Sequence, residues 1–236
     1  MGAVGCAGLE GLERGFGVNG HMSRSVNRLL AGMALLVGTV LLAAAPVAAQ
    51  APAGWKVRVD RSTNAQDPDN TPNLKVVTVG TGFRVTGGPA GTFWNPVHTA
   101  SGAFTARADF TLKAPSNHTN YYGLIIGGSD LEGAGQTYIY FLIAQDGTYL
   151  VRQRTGADVQ TIKASTPHAS VRKPEAGQST NTLEVRVSAD AISYVVNGAV
   201  VISTPKTGPT AKTDGIVGVR VNHVLDVEVS GFEVRR

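Results

Sequence analysis

From about Gly82 to the C-terminus the chain is a train of short segments in which apolar and polar residues alternate, joined by tight-turn dipeptides, with no convincing helical pattern. Two junctions are explicit. Thr137–Ala144 and Thr148–Arg154 flank Asp146-Gly147, and Ala191–Val196 meets Ala199–Thr204 across Asn197-Gly198. Asp-Gly and Asn-Gly accept the positive φ angles of the type I′ turn, whose twist matches that of paired strands, so both read as β-hairpins. Such a chain must fold by antiparallel pairing, and its function has to be carried by a strand surface.

The first fifty residues are expected to lie outside that fold. Arg24 and Arg28 precede an apolar run from Leu29 to Ala45, and Val47-Ala48-Ala49 supplies small residues where a signal peptidase cuts. We therefore divide the chain into an N-terminal extension and secretory signal (1–49), a linker with a first strand (50–73), and a sandwich domain (74–236). Cleavage near Ala49 would make the protein secreted or periplasmic. The competing reading is an uncleaved membrane anchor, because the run is nearly long enough to span a bilayer. Met22, directly ahead of the basic residues, is a plausible true start. Cys6 is the only cysteine and precedes the signal, so the mature domain would be held by its core without disulfides. At about 187 residues it can bury roughly 70% of its unfolded surface. Of the formal charge of +4, Arg14, Arg24 and Arg28 against Glu10 and Glu13 account for +1. The remaining basic residues are scattered among apolar ones, which argues against the clustered stripe that nucleic acid requires.

Along the mature chain, Phe104, Ala106, Ala108, Phe110 and Leu112 alternate with Thr105, Arg107, Asp109, Thr111 and Lys113, the pattern of a strand with one wet face. Tyr121–Gly127 is apolar on both faces and is expected at the centre of a sheet. Thr92–Asn95 reads as a brief strand ending at Pro96, and 164–180 as a long polar loop. Leu225, Val227 and Val229 share a phase that Phe232 and Val234 break, with Gly231 between them, the mark of a β-bulge. About a dozen strands result. One sheet that wide would expose an apolar face, so two packed antiparallel sheets are expected.

Tyr122-Gly-Leu-Ile-Ile126, the run Tyr138–Tyr149 through Asp146-Gly147, Asn181–Val185, Tyr194–Gly198, Gly215–Val219 and a closing strand at Phe232 together resemble the concanavalin A-like lectin/glucanase superfamily. Within it the chain looks most like secreted modules related to the 3-keto-disaccharide hydrolase domain (DUF1080), over residues 74–236. The resemblance implies a two-sheet jelly-roll sandwich whose concave face often receives carbohydrate. The chain departs from the hydrolase pattern at Asn120-Tyr-Tyr-Gly123 and Tyr138-Ile-Tyr-Phe141, where no carboxylate stands, and it lacks the Glu-x-Asp-x-x-Glu of jelly-roll glucanases. Glycoside hydrolysis needs two carboxyl groups about 5 to 10 Å apart, and the sequence offers no obvious pair. Asp226 and Glu228 share a face, but their neighbours' alternation makes that face a solvated one.

The residues most suited to a ligand lie in the first hairpin and near the last turn. If Gln145 pairs with Thr148, Tyr138, Tyr140, Tyr149 and Gln153 share one face, and Arg152 and Arg154 share the other. A tyrosine ring offers a flat apolar surface to a sugar and a hydroxyl to its oxygens, which would put the tyrosines in a groove. The alternative makes them core and the arginines a solvated stripe; the sequence alone leaves both open. Arg220 and Asn222 share a face and could hold sugar hydroxyls or a carboxylate, with His223 beside them; for this cluster a structural hydrogen-bonding role is favoured over catalysis, since His223 has no Asp or Ser partner at a diagnostic spacing. Trp94 and Asn95, with Asn120 and Tyr121, are candidate rim contacts. Asp130 with Glu132, and Asp67 with Asp69 and Asn70, supply oxygen ligands for calcium but not a full set; no other cofactor is implied.

Three functional readings follow. The first is a secreted, non-catalytic module binding carbohydrate or a cell-envelope glycan. The second is a hydrolase of the keto-disaccharide type using His223, Arg220 and Asp130. The third is a structural or protein-interaction domain without a small ligand.

Overall fold

A computed structural model describes residues 51–61, 66 and 74–236. The signal segment, Met22, Cys6 and the loop carboxylates Asp67 and Asp69 with Asn70 lie outside the described residues. Among the described residues there are fourteen strands. They are β1 (Lys56–Asp60), β2 (Lys75–Val79), β3 (Gly82–Thr86), β4 (Ala90–Ala100), β5 (Phe104–Ala114), β6 (Tyr121–Ser129) and β7 (Thr137–Ala144). The second half supplies β8 (Thr148–Thr155), β9 (Asp158–Pro167), β10 (Ser179–Val187), β11 (Ala191–Val196), β12 (Ala199–Pro205), β13 (Gly215–Val221) and β14 (Asp226–Arg235). All pairings are antiparallel, in two seven-stranded sheets ordered β1-β4-β13-β6-β7-β8-β9 and β12-β11-β10-β5-β14-β3-β2. The expected two-sheet antiparallel sandwich is what forms.

The main core lies between the sheets. Phe83 of β3 meets Phe93 of β4 at 5.5 Å between ring centroids, Phe110 of β5 meets Tyr122 of β6 at 5.8 Å, and Phe141 of β7 meets Tyr194 of β11 at 5.2 Å. Each pair joins one sheet to the other, as face-to-face packing of two sheets requires. The bulge at Gly231 is present. Gly231 has φ +56°, and the register of β14 against β5 slips between Ser230 and Glu233, so one extra residue carries Phe232 and Val234 back toward the core. β4 does not stop at Pro96. The proline falls beyond the last β1 partner at Trp94 and inside the register shift against β13, so no ladder hydrogen bond is asked of its missing N–H.

The outer face of the second sheet is wet and paired. Arg84 grips Asp226 through Nε at 2.6 Å and Nη2 at 2.5 Å, Lys113 lies 3.7 Å from Glu228, and Arg107 sits among Asp109, Glu184 and Glu233 at 3.1 to 3.9 Å. Asp226 and Glu228 are thus members of a solvated charge ladder.

The outer face of the first sheet is shaped differently. β1 and β8 are five strand spacings apart, about 24 Å along a flat sheet, yet Asp60 of β1 and Arg154 of β8 approach to 3.7 Å. The sheet therefore curls, and its outer face is concave.

One sequence expectation fails in register. The β7–β8 hairpin pairs Ile143 with Tyr149 and Leu142 with Leu150, one residue out from a Gln145–Thr148 pairing. Gln145, Asp146 and Gly147 form a three-residue loop, closed by the Gly147 amide donating to the Ala144 carbonyl at 3.1 Å, with Gly147 at φ +86°. A slip of one residue exchanges faces for everything beyond it. Tyr149 and Gln153 therefore leave the face of Tyr138 and Tyr140, and Arg152 and Arg154 join it. The Asn197-Gly198 turn, with φ +50° and +85° and Val196 paired to Ala199, is the two-residue turn expected.

Gly147→Ala should lower stability by about 1–2 kcal/mol, the cost of a Cβ in the left-handed region, with the Lys173 side chain moving aside for the new methyl. Urea unfolding checks this; an unchanged midpoint would contradict the left-handed conformation of Gly147.

Candidate functional site

The floor of the concave face is built by strand alternation. β6 and β7 are central strands, apolar on both faces, so the residues that miss the main core form a second cluster: Trp94, Ile125, Leu131, Tyr138, Tyr140, Leu142 and Leu150, with Tyr121 and Ile216 packed against it. Leu131 comes from the β6–β7 loop, which folds back over one end of the groove. There Arg58 donates from Nη1 to the carbonyls of Glu132 at 3.1 Å and Gly133 at 2.6 Å. Gln136, 1% exposed, presents its amide oxygen to Arg58 Nε and Nη2 at 3.1 Å and to Arg154 Nε at 3.2 Å.

Under that loop lies a charge cluster around Asp60. Arg220 Nη1 donates to Asp60 Oδ2 at 2.6 Å, Tyr138 Oη at 2.9 Å and Thr92 Oγ1 at 3.1 Å. Arg58 Nε donates to Asp60 Oδ1 at 3.1 Å. Burial alone would raise the Asp60 pKa, but the charge and hydrogen bond of Arg220, the charge of Arg154 and the bond from Arg58 outweigh it and hold the carboxyl below its ordinary value. The Arg220 guanidinium also sits 5.8 Å from the centre of the Tyr140 ring. Beside the loop a recess of about 420 Å³ is lined by Lys56, Trp94, Pro96, Asp130, Leu131, Glu132 and Ile216.

The other half of the face is less committed. Burial raises the Tyr140 pKa, partly opposed by Arg220 and by Arg152, whose guanidinium faces the Tyr140 hydroxyl. Arg152 Nε is buried without an acceptor, and so is Asn222 Oδ1 without a donor. Leu142 and Leu150 lie in the floor between these groups.

The candidate residues thus separate. Tyr138, Tyr140, Arg220 and Asn222 share the concave face, but Arg220 is spent on Asp60 and Tyr138 on Arg220 and Thr92. Tyr149 is a correction: it lies in the main core, 3% exposed, and its hydroxyl donates to the Val201 carbonyl of the opposite sheet at 3.0 Å. Gln153 is a second correction, opposite Ile139 on the core-side phase. His223 stands at the β13–β14 turn, stacked on His118 with centroids 5.4 Å apart. Asp130 and Glu132 do not converge as a calcium pair. Asp130, at φ +48°, turns back to accept from the Gly135 amide at 3.1 Å, and Glu132 pairs with Lys56. Among the described residues no group of three or more His, Cys, Asp or Glu side chains is placed to hold a metal ion. Sequence reasoning missed Asp60, Arg58 and Gln136, and put Arg152 and Arg154 on the wrong face. The arginines were recoverable from a three-residue reading of the turn; Asp60 left no local signal.

No family model and no curated protein sequence matches the chain. Solved structures do. Carbohydrate binding module CBM66 from Bacillus subtilis superposes with a TM-score of 0.55 at 12% identity, covering 78% of this chain and 96% of that one. The Emp46p carbohydrate recognition domain, in its metal-free form, gives 0.52 at 13% identity, covering 77% and 88%. The corresponding domain of Emp47p gives 0.50 at 10%, covering 79% and 90%. At these identities the likeness establishes the fold: a lectin-like jelly-roll sandwich.

Because the Asp60 pKa is depressed, its stabilising contribution is complete above the unfolded value of about 3.9 and is lost as pH falls through the lower folded value. Asp60→Asn should cost about 3 kcal/mol by stranding Arg220 and Arg154, and should flatten the fall in stability below about pH 4. Thermal unfolding of both proteins across that range checks it; parallel curves would contradict the clamp.

Proposed function

We propose that the protein is an exported carbohydrate-binding module that takes its glycan, extracellular or of the cell envelope, on the concave face of the first sheet. The observation that carries the reading is the contrast between the two outer faces. The second sheet's charges are in ion pairs with one another, whereas the concave face carries Tyr121 and the edge of Tyr140 over a buried leucine layer, beside an Arg152 that no carboxylate pairs with among the described residues and an Asn222 Oδ1 without a donor. Such a surface suits a sugar, whose C–H faces lie on apolar rings while its hydroxyls complete hydrogen bonds. The solved neighbours named as a carbohydrate binding module and carbohydrate recognition domains support the same reading by analogy of fold.

The binding half is the one with Tyr121, the edge of Tyr140, Arg152 and Asn222, above the buried Leu142 and Leu150. The Asp60 half is scaffold. Binding is favoured over hydrolysis because Asp60 is held ionised by three arginines and cannot serve as the protonated acid that glycoside cleavage needs. His223, Arg220 and Asp130, the residues a hydrolase reading would use, are engaged respectively with His118, Asp60 and the Gly135 amide.

A glycan array followed by calorimetry tests the proposal. Tyr140→Ala should weaken the best ligand about tenfold, equivalent to about 1.4 kcal/mol. Tyr149→Phe should leave binding unchanged while costing about 1 kcal/mol of stability through the lost bond to Val201. Absence of binding to any glycan, or full affinity in Tyr140→Ala, would remove the reading.

A further inference from the structure

The loop over the groove brings Asp130 and Glu132, the latter paired with Lys56, and the concave face itself carries four guanidinium groups, Arg58, Arg152, Arg154 and Arg220, against one partly buried carboxylate, Asp60. Three of the four converge on that carboxylate at 2.6 to 3.7 Å. Arg152 does not. It lies one strand pair from Tyr140, no carboxylate pairs with it among the described residues, and its Nε is closed off from water without an acceptor. A guanidinium left in this state is costly, because a buried donor forfeits its hydrogen bond and a partly buried charge forfeits hydration. Unlike Nε, the two Nη groups are not closed off, so an anion can meet that edge of the half-buried guanidinium and accept two parallel bonds from its planar fork.

Resting on the carbohydrate reading above, we propose that the glycan is acidic: a saccharide bearing a carboxylate or sulfate ester that Arg152 receives, with the sugar ring beside Tyr121 and the exposed edge of Tyr140. The surplus of positive charge that Asp60 leaves unneutralised favours the same class of ligand by lowering the potential energy of any anion in the groove. A neutral sugar could use Tyr140 and Asn222 but would leave the Arg152 charge unanswered.

Calorimetry of the full protein with four trisaccharides separates the outcomes: trigalacturonate, its methyl ester, a sulfated galactotriose and unmodified galactotriose. The expected result is binding of trigalacturonate or of the sulfated sugar at least tenfold tighter than of the neutral pair, and whichever acid wins identifies the source of the anion. Arg152→Ala should abolish that preference, and Arg152→Lys should retain part of it. Raising NaCl from 50 to 500 mM should weaken the acidic ligand more than a neutral one. The melting temperature of Arg152→Ala should hold or rise, since an unpaired charge is removed; this separates a ligand contact from a structural one. Equal binding of neutral and acidic sugars would overturn the acidic ligand, and an acid preference that survives in Arg152→Ala would overturn Arg152 as its receiver, each while leaving carbohydrate binding in place. Failure of all four sugars, together with a blank glycan array, would overturn the carbohydrate reading itself.

Discussion

The curl of the first sheet is closed by a single carboxylate. Asp60 stands on the edge strand β1, and Arg220 and Arg154, which it binds, stand on β13 and β8. A seven-stranded sheet with the ordinary right-handed twist would leave these side chains far apart. The ion cluster is possible only because the groove is deep enough to exclude most water, and the groove keeps that depth because the cluster spans it. Ion pairs of this kind repay their desolvation only when the remaining donors are also satisfied. Thr92, Tyr138, Gln136 and the carbonyls of Glu132 and Gly133 provide that satisfaction, so the loop over the groove and the strands beneath it are parts of one network.

The same asymmetry explains why the two sheets look so different in sequence. β5 and β10 alternate cleanly, and β14 does so up to its bulge at Gly231, because their outer face meets water, and the ion pairs there need no more than proximity to a flat surface. β6 and β7 do not alternate, because the concave side of a curled sheet is itself sheltered and acquires its own apolar cluster. A strand that is apolar on both faces thus reports either a central position between two layers or the floor of a groove, and here it reports both.

Much of the architecture was legible locally. The two hairpins, the bulge at Gly231 and the wet face of β5 each follow from a few neighbouring residues, and each is present. The register of the first hairpin was not legible in the same way, because Asp-Gly fits the two-residue turn and also the end of a three-residue loop, where only Gly147 needs positive φ. That ambiguity of one residue decided whether the tyrosines or the arginines faced the groove, and the answer was Tyr138 and Tyr140 together with Arg152 and Arg154. Asp60 was invisible for a different reason. Its partner Arg220 lies 160 residues away, and nothing in an Arg-x-Asp strand near the start of a domain shows that the far side of the sheet will bend to meet it.

Rigidity connects this architecture to recognition. Tyr140, Leu142, Leu150 and Arg152 belong to the two strands of one hairpin, flanked by β6 and β9 and backed by Phe141 and Val151 in the main core. A ligand held by Arg152 and the edge of Tyr140 on this platform orders few side chains, so little of its contact energy is lost to conformational entropy. A sugar makes shallow contacts and exchanges its own hydration for that of the protein, and it benefits most from a platform already in place. The polar groups that hold the curl cannot also greet a ligand, since Asp60 has bound them. Selectivity for a saccharide, on the reading proposed above, is consequently left to the few that the clamp does not reach, Arg152 and Asn222.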